Sequence, residues 1–129
     1  MPRIYLEAEA ILAIIAECEA GDWEWVSSEV VEREISRIPD VERRRRVQML
    51  ASHSRRSIVV KQTEMERAQK LEAWGIPAYD ALHLACAESG GADVFLTTDD
   101  ELIRKSAAHA KQLQVRVENP LAWAEEVLV

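Results

Sequence analysis

The stretch from Ala78 to Ala87 has almost no polar face. Ala81, Leu82, Leu84, Ala85, Cys86 and Ala87 cover nearly the whole circumference of a helix, interrupted mainly by Asp80 and His83. A helix that is hydrophobic all round is buried rather than laid on a surface. Gly75-Ile76-Pro77 breaks the preceding helix and offers a proline suited to a first turn, and Gly90-Gly91 ends the segment. Directly afterwards Val94-Phe95-Leu96-Thr97 forms a continuous apolar run of strand length, which predicts a strand covered on both faces.

The same alternation runs through the chain. Ile4, Ala8, Ile11, Leu12, Ile15 and Cys18 recur at three- and four-residue steps, predicting an amphipathic helix that Gly21 ends. Trp23-Glu24-Trp25-Val26 reads as a short strand, and Ser27 or Ser28 can cap a helix carrying Val30, Val31, Glu34 and Ile35. Pro39-Asp40 opens an arginine-rich helix towards Ser52, and Ser57-Ile58-Val59-Val60 reads as a second strand. Thr63 with Glu66 matches a capping box for a helix ending near Trp74. A helix from about Asp99 to Ala108, a strand at Val115-Arg116-Val117 and a last helix opened by Pro120 complete the order. Strands alternating with helices predict an α/β fold, a parallel sheet with helices on its faces. At 129 residues, with no repeat or linker, the chain fits one domain over residues 1–129.

Composition narrows the function classes. Four Gly and four Pro exclude collagen-like and linker sequences. The apolar stretch Ala10 to Ala16 is far short of the roughly 20 residues that span a bilayer, and the start lacks the order of a secretory signal. Cys18 and Cys86 sit in apolar helical patterns and read as buried thiols. A cytoplasmic protein with no membrane partner is the expectation. A net charge of −7 argues against a general nucleic-acid coat protein, though not against a nucleic-acid enzyme. Six arginines (Arg43, Arg44, Arg45, Arg46, Arg55 and Arg56) fall within fourteen residues. Such a run reads as a solvated helix pairing with acids such as Glu42, or as a phosphate-binding edge.

The chemistry-bearing residues are carboxylates. Asp99 and Asp100 follow the strand ending at Thr97, at the edge where open parallel sheets place ligands. Adjacent carboxylates suit a hard divalent cation, but Thr98-Asp99-Asp100-Glu101 is also a capping box. Asp80 is the one acid between Glu72 and Glu88, on the most apolar helix of the chain. A charge there needs a partner, a metal or the help of the helix dipole. Glu34 lies near the inward face of its helix, while Glu29 and Glu32 look like surface charges. His83 reads as a satisfied core histidine. No second His or Cys stands at zinc spacing, no Ser or Cys nucleophile has a convincing base, and no glycine-rich loop suits a phosphate cradle.

These residues resemble the PIN domain, the metal-dependent nuclease fold of VapC-like toxins. Asp80-Ala81-Leu82-His83-Leu84-Ala85 matches the family's Asp-Ala-Leu-His-Leu-Ala motif. Phe95-Leu96-Thr97-Thr98-Asp99-Asp100-Glu101-Leu102 is similar to its late strand and acid, and Ser27 to Ile35 is similar to the helix bearing its glutamate. The family begins with a strand ending in an aspartate. Here either Ile4-Tyr5-Leu6-Glu7 is that strand, with Glu7 replacing the aspartate, or that segment is already the first helix and the strand lies upstream of Met1. The helical spacing back to Ile4 favours the second register. The resemblance then implies a three-layer α/β/α fold lacking its first strand, with a gap between the neighbours of that strand.

The resemblance further implies a Mg²⁺- or Mn²⁺-dependent ribonuclease. Asp80 and Asp99 would bind metal with Asp100 close by, Glu34 would position a second metal or the water, and Arg43, Arg44, Arg45 and Arg46 would lie along the RNA. It implies an antitoxin protein and a homodimer as partners if the domain is a toxin. The rival expectation is a PIN-like scaffold with a depleted site that binds RNA or a protein.

Overall fold

The structure, a computed structural model, describes residues 2–128. It opens with α1 (Arg3–Glu19), an unbroken helix. Ile4-Tyr5-Leu6-Glu7 is therefore helical, and the register that makes it a strand is excluded. The face that α1 buries is not its most apolar one. Glu7, Ala10, Ile14 and Ile15 turn inward, while Ile4 and Leu12 are 72% and 57% exposed. Two contacts explain the rotation. Ala10 and Ile14 pack with Ala124 of α7 (Pro120–Val127) beside Trp23, Leu121 and Trp123. The Glu7 carboxylate is held by Arg3 Nε at 3.0 Å and by the Asn119 amide at 2.5 Å, so it is buried with its hydrogen bonds made.

β1 (Val26–Ser28) follows, slightly later than the tryptophan-rich segment suggests. Ser28 ends the strand and caps α2 (Glu29–Ser36), its Oγ accepting from Val31 N–H at 3.2 Å. Asp40 caps α3 (Val41–Ala51) in the same way. β2 (Arg56–Ile58) leads to α4 (Gln62–Glu72). The expected Thr63–Glu66 capping box is replaced by one set two residues earlier, where Glu64 Oε1 accepts from Lys61 N–H at 2.7 Å. Glu64 wins because it is buried against α5 (Ala78–Ser89), where Ser89 Oγ and Thr63 Oγ1 also donate to it. β3 (Val94–Leu96), α6 (Asp100–Ala108) and β4 (Arg116–Glu118) precede α7.

The main core gathers around α5 as its apolar circumference requires. Ala81 and Leu84 are fully buried, packed with Leu71 and Ala68 of α4 and with Ile76, Leu102 and Val115. The strands are parallel and short, but they form two pairs, β1 with β2 and β3 with β4. No ladder joins the pairs among the described residues. α5 packs on both β1 and β3, and among the described residues each strand is paired along one edge only. This explains why β3 is only half-buried rather than covered on both faces. Among the described residues no helix is long and apolar enough to cross a membrane.

Candidate active site

α2 begins at the carboxyl end of β1, and Asp99 follows the carboxyl end of β3. Asp80, in the first turn of α5, is close enough to Asp99 and to Glu34 of α2 to feel both charges. Gly75, at φ +88°, turns the chain from α4 towards Pro77, which precedes that first turn. Asp80 is half-buried. Burial first and then the Asp99 carboxylate push its carboxyl above the ordinary range; His83 pulls the other way, and Glu34 adds a weaker push than either, against a still weaker pull from Lys105. Acids from three separated segments are thus near enough to act on one another at Asp80.

Each of the other acids has its own attachment. Glu34 is half-exposed, and its Oε1 lies 2.8 Å from Nε2 of His83. His83 is buried, as a core histidine should be, yet it also touches the acidic cluster. The sequence offered one signal for this: His83 stands three residues after Asp80, on the same side of the helix. Asp99 caps α6, its Oδ1 accepting from the N–H groups of Glu101 at 3.0 Å and Leu102 at 3.2 Å. The cap is therefore Asp99, not Thr98, because Asp99 Oδ1 reaches two free N–H groups of the first turn, while Thr97 Oγ1 accepts from the Asp99 N–H at 3.1 Å. Asp100 points elsewhere, gripped by both terminal nitrogens of Arg3 at 2.9 and 2.6 Å. That guanidinium holds its carboxyl below the ordinary range.

Asp80, Asp99 and Glu34 offer hard oxygen donors, which fit a divalent cation in chemical kind. Among the described residues, however, no three His, Cys, Asp or Glu side chains stand close enough together to hold an ion. The arginine helix lies outside this cluster. α3 has no buried residue, and among the described residues none of Arg43, Arg44, Arg45 and Arg46 forms an ion pair. Arg44 donates to the Ile38 carbonyl at 2.9 Å, so the expected pairing with Glu42 is absent. Cys18 and Cys86 are free thiols, and burial pushes Cys86 up to about 11, which leaves it protonated and inert.

A comparison with protein-family models matches residues 4–108 to the PIN domain. The chain belongs to the PIN domain family. The match takes in α1 through α6, and with them Glu34, Asp80, His83 and Asp99. No curated protein and no solved structure matches the chain. Membership in the PIN family points to nuclease-type function in general terms, and the acidic cluster draws on segments that follow β1 and β3.

Proposed function

We propose that this PIN domain is a Mg²⁺- or Mn²⁺-dependent ribonuclease acting at Asp80, Asp99 and Glu34. The observation that carries the reading is the crowding of carboxylates at Asp80, which leaves that acid in a setting that disfavours its charge. Clustered acids of this kind are stabilised by a cation, and functional sites are where such perturbation concentrates. A bound divalent ion supplies an activated water and neutralises charge on the phosphate. On the protein's side, Asp80 and Asp99 present oxygens from the ends of α5 and β3, and Glu34 approaches from α2. Asp100 stands close by with its carboxylate engaged by Arg3. Arg43, Arg44, Arg45 and Arg46 supply unpaired positive charge for the RNA backbone on an otherwise acidic chain.

The open cage belongs to the same reading. A further strand between β1 and β3, bringing its own acid, would complete both the sheet and the ligand set; the two unjoined strand pairs support this. The uncovered apolar stripe of α1, with Ile4, Tyr5, Ile11 and Leu12 exposed, supports association with another chain. That chain is a second copy, or an antitoxin if the domain is a toxin. A second reading, a scaffold that binds RNA or protein without cutting, is favoured by the missing three-ligand cage.

Cleavage of single-stranded RNA with Mn²⁺ separates the two readings, measured for this chain and for an upstream-extended form. The nuclease reading expects activity in the extended form that Asp80→Asn and Asp99→Asn each abolish. Cleavage that survives both substitutions removes these carboxylates from the chemistry. RNA binding without cleavage in either form establishes the scaffold.

A further inference from the structure

The nuclease reading leaves His83 without a task, yet its surroundings are the most constrained of any polar side chain near the cluster. It is 8% exposed. Its ring is flanked by Tyr79, with centroids 6.3 Å apart, and by Phe95 of β3 at 5.9 Å, both tilted. Nε2 meets Glu34 at 2.8 Å, while Nδ1 is buried with no partner among the described residues. A carboxylate only accepts, so Nε2 carries a proton and donates it to Glu34, while Nδ1 is left without a partner among apolar neighbours. Glu34 is in the opposite situation. It is a long side chain, 50% exposed, on a helix with Val30 as its one buried residue. Left alone, such a side chain keeps its rotamer freedom in water, and fixing it has an entropic cost. The His83 bond is the one hydrogen bond to its carboxylate among the described residues.

We infer that His83 is a positioning residue. Its Nε2–H, held by the Tyr79 and Phe95 rings, fixes the Glu34 carboxylate across the α2–α5 boundary so that it faces Asp80. The inference rests on the nuclease reading and adds to it a residue that acts through Glu34 rather than on the substrate. Groups that orient ligand side chains are typically worth on the order of 10- to 100-fold in metal affinity or activity.

The test uses His83→Leu, His83→Gln, Glu34→Gln and the His83→Leu/Glu34→Gln double variant. Two measurements are made: Mn²⁺ binding by electron paramagnetic resonance without RNA, and Mn²⁺-dependent cleavage. His83→Leu should weaken Mn²⁺ binding or cleavage by about 10-fold or more, and His83→Gln, which keeps a donor, should recover most of the loss. In the Glu34→Gln background His83→Leu should add nothing. Equal losses in the Leu and Gln variants, or fully additive losses in the double variant, overturn the positioning role. Should His83→Leu fail to fold, the imidazole nitrogen shifts of the unsubstituted protein decide: an Nε2 that carries a proton supports the inference and an Nε2 without one overturns it. Failure of the nuclease reading shows separately, as cleavage that survives Asp80→Asn and Asp99→Asn.

Discussion

Asp99 has two jobs in this fold, and two substitutions separate them. As the cap of α6 it accepts from two backbone N–H groups at 3.0 and 3.2 Å. Asp99→Ala leaves both without their partner, and losing an N-cap side chain typically costs about 1 kcal/mol, within a range of roughly 0.5–2. Asp99→Asn keeps an oxygen in the same place, and asparagine caps as well as aspartate. It gives up the favourable charge at a helix start, worth about 0.3–1 kcal/mol, but it also removes the repulsion that Asp80 feels from Asp99. These opposing effects leave Asp99→Asn within about 0.5 kcal/mol of the parent. For a chain of this size 1 kcal/mol moves the melting temperature by about 4 °C. Thermal unfolding by circular dichroism at pH 7 should therefore show Asp99→Ala about 4 °C lower and Asp99→Asn nearly unchanged, while both lose Mn²⁺-dependent cleavage. An Asn variant as unstable as the Ala variant refutes the capping account. An Ala variant that still cleaves RNA refutes the site.

Other perturbations follow from the same structure. Asp80→Asn should stabilise the metal-free protein at pH 7: the folded-state carboxyl sits above its unfolded value, so ionising it opposes folding. That advantage should appear as pH rises from about 4, the unfolded value, and vanish below it, as urea unfolding at pH 3.5 and 7 would show; equal gains at both pH values would contradict it. Glu88→Gln should cost roughly 3 kcal/mol by urea unfolding. Glu88 is a 4%-exposed side chain paired twice with Arg67, at 2.8 and 3.0 Å, and also accepts from Gln114 N–H. Replacing Arg43, Arg45 and Arg46 together by Gln should leave the melting temperature unchanged, because α3 buries nothing. If the helix tracks RNA, the slope of log affinity against log salt should become shallower by about 2, three phosphate contacts at roughly 0.7 each; an unchanged slope places the RNA elsewhere.

Much of the architecture is legible from local pattern. The apolar circumference of Ala78–Ala87, the helical spacing back to Ile4 and the alternation of short strands with helices depend on near neighbours, and so does the cap at Asp40. Asp80 stood out for an equally local reason, a lone charge on an apolar helix. Glu34 was legible only in part: Val30 and Val31 one turn back set it towards the inward face, apart from Glu29 and Glu32, but local spacing cannot show what it meets there. Tertiary contacts decided the rest. Glu7 is buried in place of the α1 stripe because Asn119, 112 residues away, supplies its hydrogen bond. Asp100 is drawn out of the cluster by Arg3 across 97 residues, and His83 is tied to Glu34 across 49. Whether four strands make one sheet or two pairs depends likewise on which edges meet. Sequence fixes what a segment prefers within its own few turns; which side chain satisfies a buried polar group, and which face a helix turns inward, is set by whatever distant segment the fold brings alongside it.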